Sequence, residues 1–277
     1  MIRQRACWCL LLLTGLLIAA GSTSATPAPT ATEPPLQALV ADVWPWGYMD
    51  DQEQPQGIIV DLFRELESRS GKPIELRLLP HQRVLLELEQ GQGDLSVLFA
   101  NPAADRFAER SAPVLQSRFF LMAPRERTGD LNLASLAGEP VGFIRGTYYG
   151  RAFEADQAIN KIAVSSLEQG VMMLQAGRLQ AMISSEQTLY HTFQKLALLS
   201  DDWRLALHSE QQTAYLYRQR QVLPAHRAAP LVEAIEQLRA SGELQHLVGV
   251  PALDQPPAAH SAADRQSSSA PPRPVPE

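Results

Sequence analysis

The chain has 277 residues, of which 45% are hydrophobic and 19% charged, and its formal net charge is −6. This is ordinary globular composition with enough apolar residues for a core, and the length allows one large domain or two small ones. The acidic balance, without a long block of Lys or Arg, argues against nucleic acid as a partner.

The N-terminus has the pattern of an exported protein. Arg3 and Arg5 precede an apolar run over residues 7–20, and small residues follow it. A basic start, a short apolar segment and a small-residue cleavage site are typical of a secretory signal peptide, whereas a helix that spans a bilayer needs about 20 apolar residues. We therefore predict a cleaved signal peptide over residues 1–25 and a periplasmic location.

Two proline-rich segments border the part of the chain that we expect to fold. Residues 26–35 show no apolar periodicity and are predicted to form an extended linker. Residues 251–277 contain seven prolines and too few apolar side chains to offset the entropy of ordering, which predicts a disordered tail. Both cysteines, Cys7 and Cys9, lie in the signal segment, so the mature chain offers no disulfide and no cysteine metal site. We expect it to need no cofactor and no metal.

Predicted strands and helices alternate in two series between residues 36 and 250. The first series has strands at 36–43, 74–79 and 94–100 with helices at 57–70 and 82–90, and the second has strands at 140–144, 161–164 and 180–183 with helices at 149–158, 167–176 and 186–197. Further strands at 119–123, 203–207 and 213–218 and a helix at 230–240 complete the pattern. Such alternation implies right-handed crossovers and parallel strands with both faces of the sheet covered. We therefore predict an α/β protein of two lobes with a cleft between them.

Five short motifs occur in an order that matches a known family. They are PQGIIVDLFRELESRSG at 55–71, LELEQGQGDLSV at 86–97, NPAADRFAERSAP at 101–113, LASLAGEPVGFIRGTYY at 133–149 and LQAGRLQAMISS at 174–185. Together they resemble the bacterial extracellular solute-binding proteins of family 3, the periplasmic receptors of polar amino-acid importers and their relatives.

The resemblance implies a type II periplasmic-binding fold. In that fold two Rossmann-like lobes are joined by two hinge crossings, here 119–123 and 213–218, and the lobes close around a ligand. Lobe 1 would comprise residues 36–120 and 213–250, and lobe 2 would comprise residues 121–212.

The strand at 94–100 ends in a polar loop that carries Asn101 and Arg106. Ligands of open α/β sheets bind beyond the carboxyl ends of strands, where a guanidinium can hold a carboxylate with two hydrogen bonds. The resemblance implies that Arg106 clamps a ligand carboxylate and that Asn101 adds a hydrogen bond. Gly146 and Thr147 lie between a strand and a helix start, where backbone N–H groups can bind an anion, and a capping role for Thr147 is the alternative.

Aromatic and acidic candidates follow two other strands. Trp46 and Tyr48, in the motif WPWGY at 44–48, lie after the first strand, where the family places an aromatic ring over the ligand; core packing is the alternative. The family's carboxylate for a ligand amine falls at Ser185, which is not acidic, and Glu186 is the neighbouring substitute. The chemical class of the ligand therefore stays open between a carboxylate, another small anion and an aromatic solute.

The predicted function is capture of a small polar, carboxylate-bearing and amino-acid-like solute in the cleft between the lobes, by a monomer that serves an ABC importer of the inner membrane. One alternative is a sensory or accessory module that reports the ligand to a signalling partner. Another is an enzyme similar to the periplasmic cyclohexadienyl dehydratases, in which Glu186 would act as the acid and Arg106 as the clamp. The chain has no HExxH motif, no Ser/His/Asp order and no Cys/His metal spacing, so a non-enzymatic role is favoured.

Overall fold

The computed structural model describes residues 33–251 and residue 253. The predicted signal peptide, residues 1–25, lies outside these residues, as do most of the predicted linker and most of the predicted tail. In the described part, no helix is both long enough and apolar enough to cross a membrane.

The described residues form ten strands and seven α-helices. The strands are β1 (Leu36–Ala41), β2 (Tyr48–Met49), β3 (Pro55–Gln56), β4 (Ile74–Leu79), β5 (Leu95–Phe99), β6 (Ala108–Pro124), β7 (Pro140–Ile144), β8 (Asn160–Val164), β9 (Ala181–Ser185) and β10 (Trp203–Gln219). The helices are α1 (Ile58–Ser70), α2 (His81–Glu89), α3 (Arg151–Ala155), α4 (Leu167–Gln175), α5 (Glu186–Leu196), α6 (Ala225–Ser241) and α7 (Glu243–Val248).

Eight of the strands form one mixed sheet in the order β4-β1-β5-β10-β6-β9-β7-β8. Strands β4, β1 and β5 run parallel and make up a first strand group. Strands β9, β7 and β8 run parallel and make up a second strand group. Between the groups, β6 and β10 pair with each other in antiparallel fashion along most of their length. The parallel pairing predicted for each series is confirmed, and the sheet as a whole is mixed because of this central pair.

Helix α1 shows how a sequence pattern positions an element. Ile59, Leu62, Phe63 and Leu66 recur on one face and are at most 3% exposed, and they pack in one core with side chains of α6. Burying each such side chain stabilises the fold by roughly 1.5–3 kcal/mol. The helix ends at Gly71, whose φ of 64° lies in the left-handed region that glycine adopts without a Cβ clash.

The two central strands are longer than the sequence predicts. The sequence predicts β6 only over residues 119–123, and it predicts two separate strands where β10 runs without a break. The polar segment from His208 to Gln212 interrupts the apolar pattern, yet the pairing with β6 continues through register shifts at Leu207/Ser209 and Ser209/Gln212. Backbone hydrogen bonds do not depend on side-chain polarity, and bulges absorb the extra residues.

Two helices also differ from the prediction. Helix α6 begins at Ala225 and contains Pro230, where the sequence predicts the helix to start. Ala228 and Leu231 on either side of that proline are at most 2% exposed, so core packing offsets the backbone hydrogen bond that proline cannot donate. Helix α3 is limited to five residues and is shorter than the predicted helix over 149–158.

Candidate functional site

The carboxyl ends of the two strand groups meet at the middle of the β6–β10 ladder. Phe99, the last residue of β5, pairs with Ala214, which pairs in turn with Leu115 of β6. Ser185, the last residue of β9, pairs with Phe119 of β6. The rings of Phe99 and Phe119 are 5.0 Å apart. Because ligands of open α/β sheets bind outside carboxyl strand ends, this junction is the candidate site.

A cavity of about 50 Å³, here called the inner cavity, lies at this junction. Its walls are mainly apolar, with indole, imidazole and hydroxyl groups at a few points. The first strand group and its loops contribute Val43, Trp46, His81 and Phe99, and the second group and its loops contribute Ile144, Thr147, Ser185 and Thr188. Among the residues that the structure describes, no Asp, Glu, Lys or Arg lines the inner cavity. An apolar group with one or two hydrogen-bonding atoms would suit these walls.

Trp46 connects the two strand groups across the inner cavity. Its Nε1 donates a hydrogen bond of 3.0 Å to Oγ1 of Thr188, and its ring meets the ring of Phe99 edge-on at 5.8 Å. Oγ1 of Thr188 also lies 2.8 Å from Oγ of Ser185. Ser185 caps α5, since its Oγ accepts a hydrogen bond of 3.3 Å from the backbone N–H of Thr188. The cap holds both hydroxyl groups at the edge of the cavity.

Thr147 connects the groups at a second point. Its Oγ1 lies 3.2 Å from Nδ1 of His81, the first residue of α2. The preceding Gly146 has a φ of 91°, and a Cβ there would lie 3.0 Å from the backbone nitrogen of Gln82. Glycine therefore permits both the backbone conformation and the close approach to α2. The N–H of Thr147 donates to the carbonyl of Ile144 at 3.2 Å and so is used within its own turn.

His81 is neutral near pH 7. The residue is partly exposed and lies at the boundary of the inner cavity. Burial disfavours the charged imidazolium and lowers the pKa of His81 from 6.5 to about 4. A neutral ring has one N–H and one bare nitrogen, so the bond with Thr147 can run in either direction according to the tautomer.

A larger cavity of about 520 Å³, here called the outer cavity, adjoins the inner cavity and shares Val43 and His81 with it. Its remaining lining is mostly polar or charged. On the side of the first strand group it is lined by Asp42, Pro80 and Gln82, and on the side of the second by Arg145, Ala163, Ser165 and Gln169. These segments lie at or beyond the carboxyl ends of β1, β4, β7 and β8. The two cavities together occupy the cleft that the strand ends define.

Three of the predicted site residues, Trp46, Thr147 and Ser185, line the inner cavity. Gly146 lies beside it against α2. Tyr48 does not line either cavity, and its ring packs instead on Trp44 at a centroid distance of 4.6 Å.

Asn101 and Arg106 lie outside both cavities. Asn101 is buried; its backbone N–H donates to the hydroxyl of Tyr217 at 3.1 Å, and its Oδ1 accepts from the N–H of Ala103 at 2.9 Å. Both bonds order the turn after β5. Arg106 ends a short 3-10 turn and is exposed. A carboxylate clamp at Arg106 stays a prediction that this geometry does not support.

Glu186 is engaged within the protein. Its carboxylate accepts hydrogen bonds from Arg118, the shortest at 2.5 Å, and from the backbone N–H of Leu253 at 2.8 Å. Arg118 in turn lies over the ring of Phe120 at 5.1 Å. Arg83, which lies in α2, pairs with Glu87 along the surface of that helix at 2.8 Å. Both arginine–glutamate contacts are ion pairs within the protein.

Several lining residues were not predicted from the sequence, chiefly His81, Phe99, Thr188 and Arg145. A signal for most of them exists, because each except Thr188 ends or follows a strand that the pattern predicts. Thr188 lies in the first turn of α5, and only its contact with Trp46, 142 residues earlier in the chain, brings it to the site.

A sequence model of the "Bacterial extracellular solute-binding proteins, family 3" matches residues 37–249. No curated protein matches the chain in sequence.

Many solved structures share the fold. An ancestral arginine-binding protein bound to arginine is 13% identical, with a TM-score of 0.66 over 78% of this chain and 97% of that one. The amino acid ABC transporter substrate-binding protein AbpA from Streptococcus pneumoniae, bound to L-arginine, is 20% identical, with a TM-score of 0.64 over 77% and 92%. A histidine kinase sensor domain with similarity to periplasmic binding proteins is 17% identical, with a TM-score of 0.67 over 79% and 98%. At these identities the likeness concerns the fold, and it confirms the predicted two-lobed α/β architecture.

Proposed function

The chain belongs to the bacterial extracellular solute-binding proteins of family 3, and we propose that it captures a small amino-acid-like solute in the cleft between its two strand groups. The observation that carries the proposal is the inner cavity, whose walls come from the carboxyl ends of both groups. A ligand there contacts both strand groups at once, so it favours the arrangement in which the two groups are close together.

The size of the inner cavity supports a closing motion. Ligand pockets in proteins measure roughly 300–1,000 Å³, whereas the inner cavity measures about 50 Å³. The halves therefore separate before a solute enters and close on it afterwards, with β6 and β10 as the two crossings. The proposed lobes are residues 36–120 with 213–250, and residues 121–212.

The walls of the inner cavity indicate the part of the solute that it holds. Val43, Phe99 and Ile144 present apolar surface, while Thr147 and Ser185 present hydroxyl groups. We propose that an aliphatic or aromatic group of the solute fills this cavity. The carboxylate of the solute belongs elsewhere in the cleft, since a cation is needed to bind it.

We propose a periplasmic protein that acts as a monomer and delivers its solute to an ABC permease. Its family is extracellular, and amino-acid transporter proteins share its fold. A sensor role is the second candidate, because a histidine kinase sensor domain and the VFT2 domain of BvgS from Bordetella pertussis also share the fold. Uptake of the labelled solute by cells with and without the gene separates the two: an importer component loses uptake on deletion, whereas a sensor loses a transcriptional response.

A dehydratase-like activity is the enzymatic alternative. General acid catalysis needs a proton donor within hydrogen-bonding reach of the leaving group. In the described part of the chain, the carboxylate of Glu186 is held by Arg118 and Leu253 and does not line the inner cavity. We therefore propose binding without turnover. Incubation with prephenate or arogenate tests this, and formation of phenylpyruvate or phenylalanine would overturn it.

A thermal-shift panel of amino acids, small carboxylates and aromatic solutes tests the binding function. A solute at one hundred times its dissociation constant stabilises the protein by about 2.7 kcal/mol. Small-angle scattering then follows the compaction that closure produces. A panel without any stabilising solute, together with unchanged scattering, argues for a protein partner instead.

A further inference from the structure

After α7 the chain passes once more from the first strand group to the second. Leu244 and Val248 of α7 are 4% and 2% exposed, and they belong to the core that α1 and α6 share. Leu253 is 3% exposed and belongs to a different hydrophobic cluster, together with Met182 and Phe193. Most members of that cluster lie on the second strand group and on its helices α4 and α5. The passage from Val248 to Leu253, here called the third crossing, therefore joins the two groups in addition to β6 and β10.

Leu253 is also held by a polar contact with the second group. Its backbone N–H donates a hydrogen bond of 2.8 Å to Oε1 of Glu186, whose carboxylate also accepts from Arg118. Hydrogen bonds to an ionised group are stronger than those between neutral groups, and removal of the leucine side chain from water favours its buried position. The side chain and the N–H of Leu253 thus attach the chain to the second group at one point, here called the Leu253 anchor.

The third crossing is less closely packed between its two buried ends. Gly249 and Val250 are partly exposed, and Pro251 is exposed. A cavity of about 150 Å³ lies beside this segment and is lined by Val250, by Gln116 of β6 and by residues of α5 and α7. The attachment of the third crossing therefore depends on α7 at one end and on the Leu253 anchor at the other.

The Leu253 anchor lies next to the wall of the inner cavity. Glu186 is the first residue of α5 and directly follows Ser185, which lines that cavity. Thr188, in the same turn of α5, accepts the hydrogen bond from Trp46 of the first group. The anchor therefore holds the turn of α5 that meets the first strand group across the cleft.

Separation of the two strand groups is limited by the length of the third crossing. Five residues reach at most about 18 Å even when fully extended. An opening beyond that reach draws Leu253 out of its cluster. It then exposes the leucine side chain to water and removes one hydrogen bond from the buried carboxylate of Glu186.

We propose that the Leu253 anchor holds the two strand groups in the closed arrangement, so that the cleft opens only when the anchor is released. This inference rests on the proposed function, since it concerns the closing motion of the cleft. The family match ends at residue 249, so the anchor is made by a residue beyond it. Release of the anchor lowers the fraction of closed molecules, and a solute that contacts both groups binds more weakly when that fraction falls.

The distance between two spin labels, measured by electron paramagnetic resonance without any solute, tests the anchor in the full chain. Cys7→Ser and Cys9→Ser leave the chain without another cysteine. Ser68→Cys on α1 and Gln194→Cys on α5 then place one label at an exposed position on each side of the cleft. Molecules with the label distance of the structure are closed, and any other distance reports opening. Leu253→Ala should lower the ratio of closed to open molecules by about 10-fold or more, because the closed arrangement loses the burial that favours it.

Leu174→Ala is the matched control. Leu174 is also 3% exposed and belongs to the same hydrophobic cluster, but it lies within α4 and not in the third crossing. The variant should lower the free energy of unfolding and leave the ratio of closed to open molecules at the wild-type value. An equal decrease of the ratio in both variants overturns the inference, because lost packing in the cluster would then explain it.

Two further variants at the same position complete the series. Leu253→Met keeps an apolar side chain of similar volume, so the ratio should stay within about 2-fold of wild type. Leu253→Asp places a second carboxylate beside Glu186, and the ratio should fall at least as far as in Leu253→Ala because like charges repel. A ratio that falls in Leu253→Met and stays unchanged in Leu253→Asp contradicts the anchor.

The failure of this inference can be distinguished from the failure of the proposed function. If the wild-type chain shows two distances and Leu253→Ala keeps their ratio, the anchor does not hold the groups together, while the closing motion and solute capture stand. If the wild-type chain shows one and the same distance with and without the solutes of the thermal-shift panel, the proposed closing motion and this inference fail together.

Discussion

The indole of Trp46 and the hydroxyl of Thr188 form a hydrogen bond of 3.0 Å between residues 142 positions apart. Trp46 follows β1 in the first strand group, and Thr188 lies in the first turn of α5 after the second group. Thr188 is only 1% exposed, so its hydroxyl depends on protein partners. In the closing motion proposed above, this bond forms in the closed arrangement of the cleft and is lost when the two strand groups separate.

Trp46→Phe tests this relationship. The variant keeps an aromatic ring against Phe99 but removes the donor to Thr188, which should weaken solute binding by about 1 kcal/mol, or roughly 5-fold. Calorimetric titration with the solute identified in the thermal-shift panel measures the change.

Trp44→Phe is the matched control. The indole nitrogen of Trp44 has no hydrogen-bond partner among the described residues, and the residue lines neither cavity. Affinity should therefore stay at the wild-type value. Equal losses for the two variants would mean that ring size, and not the bond to Thr188, supports binding.

Gly146→Ala should impair closure. A Cβ at this position would lie 3.0 Å from the backbone nitrogen of Gln82, so the loop after β7 has to move away from α2 by a few tenths of an ångström. Affinity for the solute should fall by about 10-fold or more, since the closed state carries the strain. Small-angle scattering with solute should show a more open particle.

Gly138→Ala separates that steric effect from backbone strain. Gly138 also has a positive φ, 78°, but a Cβ there has no heavy atom within 4 Å. Both variants should lose roughly 1 kcal/mol of unfolding free energy, and only Gly146→Ala should lose affinity. A matching loss of affinity in Gly138→Ala would contradict a specific role for the approach to α2.

Acidification should destabilise the protein through His81. Burial lowers the pKa of this residue from 6.5 to about 4, so between these pH values the unfolded chain binds more protons than the folded one. The free energy of unfolding therefore falls as the pH falls through this window, by up to about 3 kcal/mol, and levels off below it. Urea denaturation across the window measures the slope.

His81→Gln isolates the contribution of this ring, because His191 and His208 also have pKa values lowered by burial. Glutamine cannot be protonated in this range but can still bond Thr147. The variant should show a shallower slope, whereas His191→Gln should keep the part that His81 supplies. Asp42 and Arg145 line the same outer cavity as His81. Repeating the urea denaturation in high salt shows how far their charges contribute to the slope. Identical slopes for His81→Gln and wild type would contradict the prediction.

Glu186→Gln should lower stability and spare the site. The variant removes the charge that Arg118 pairs with, at side-chain exposures of 27% and 10%, while the amide oxygen can still accept from Leu253. The unfolding free energy should fall by about 1–3 kcal/mol, with solute affinity within about 2-fold of wild type.

Glu236→Gln is its surface counterpart, since Glu236 and Arg239 form a more exposed pair at 2.5 Å. An exposed ion pair contributes roughly 0–1 kcal/mol, so this variant should be near wild type. A large loss of affinity in Glu186→Gln with unchanged stability would instead support Glu186 as the acidic contact for a ligand amine.

Local patterns in the sequence predict most of the elements. The stripe on α1, the glycine that ends it and the alternation of strands and helices depend on side-chain spacing within a few residues. The resemblance to the family adds Trp46, Thr147 and Ser185, each of which follows or ends a strand of the structure and lines the inner cavity. The polar segment from His208 to Gln212 leads to a wrong prediction of two separate strands. The ladder between β6 and β10 continues through it, because such a ladder can include polar residues that a local pattern assigns to a loop.

Sequence patterns identify the family, the two α/β series and the strand ends from which a site is built. Which side chains meet at the site depends on how the elements pack in three dimensions. The register of β5 and β9 against β6 and β10 places Phe99 near Phe119, and the approach of two halves places His81 against Thr147. The same packing leaves Arg106 on the surface and brings both Arg145 and Asp42 to the lining of the outer cavity. Such contacts join residues far apart in the chain, and they arise from packing between elements, which no local pattern of polarity encodes.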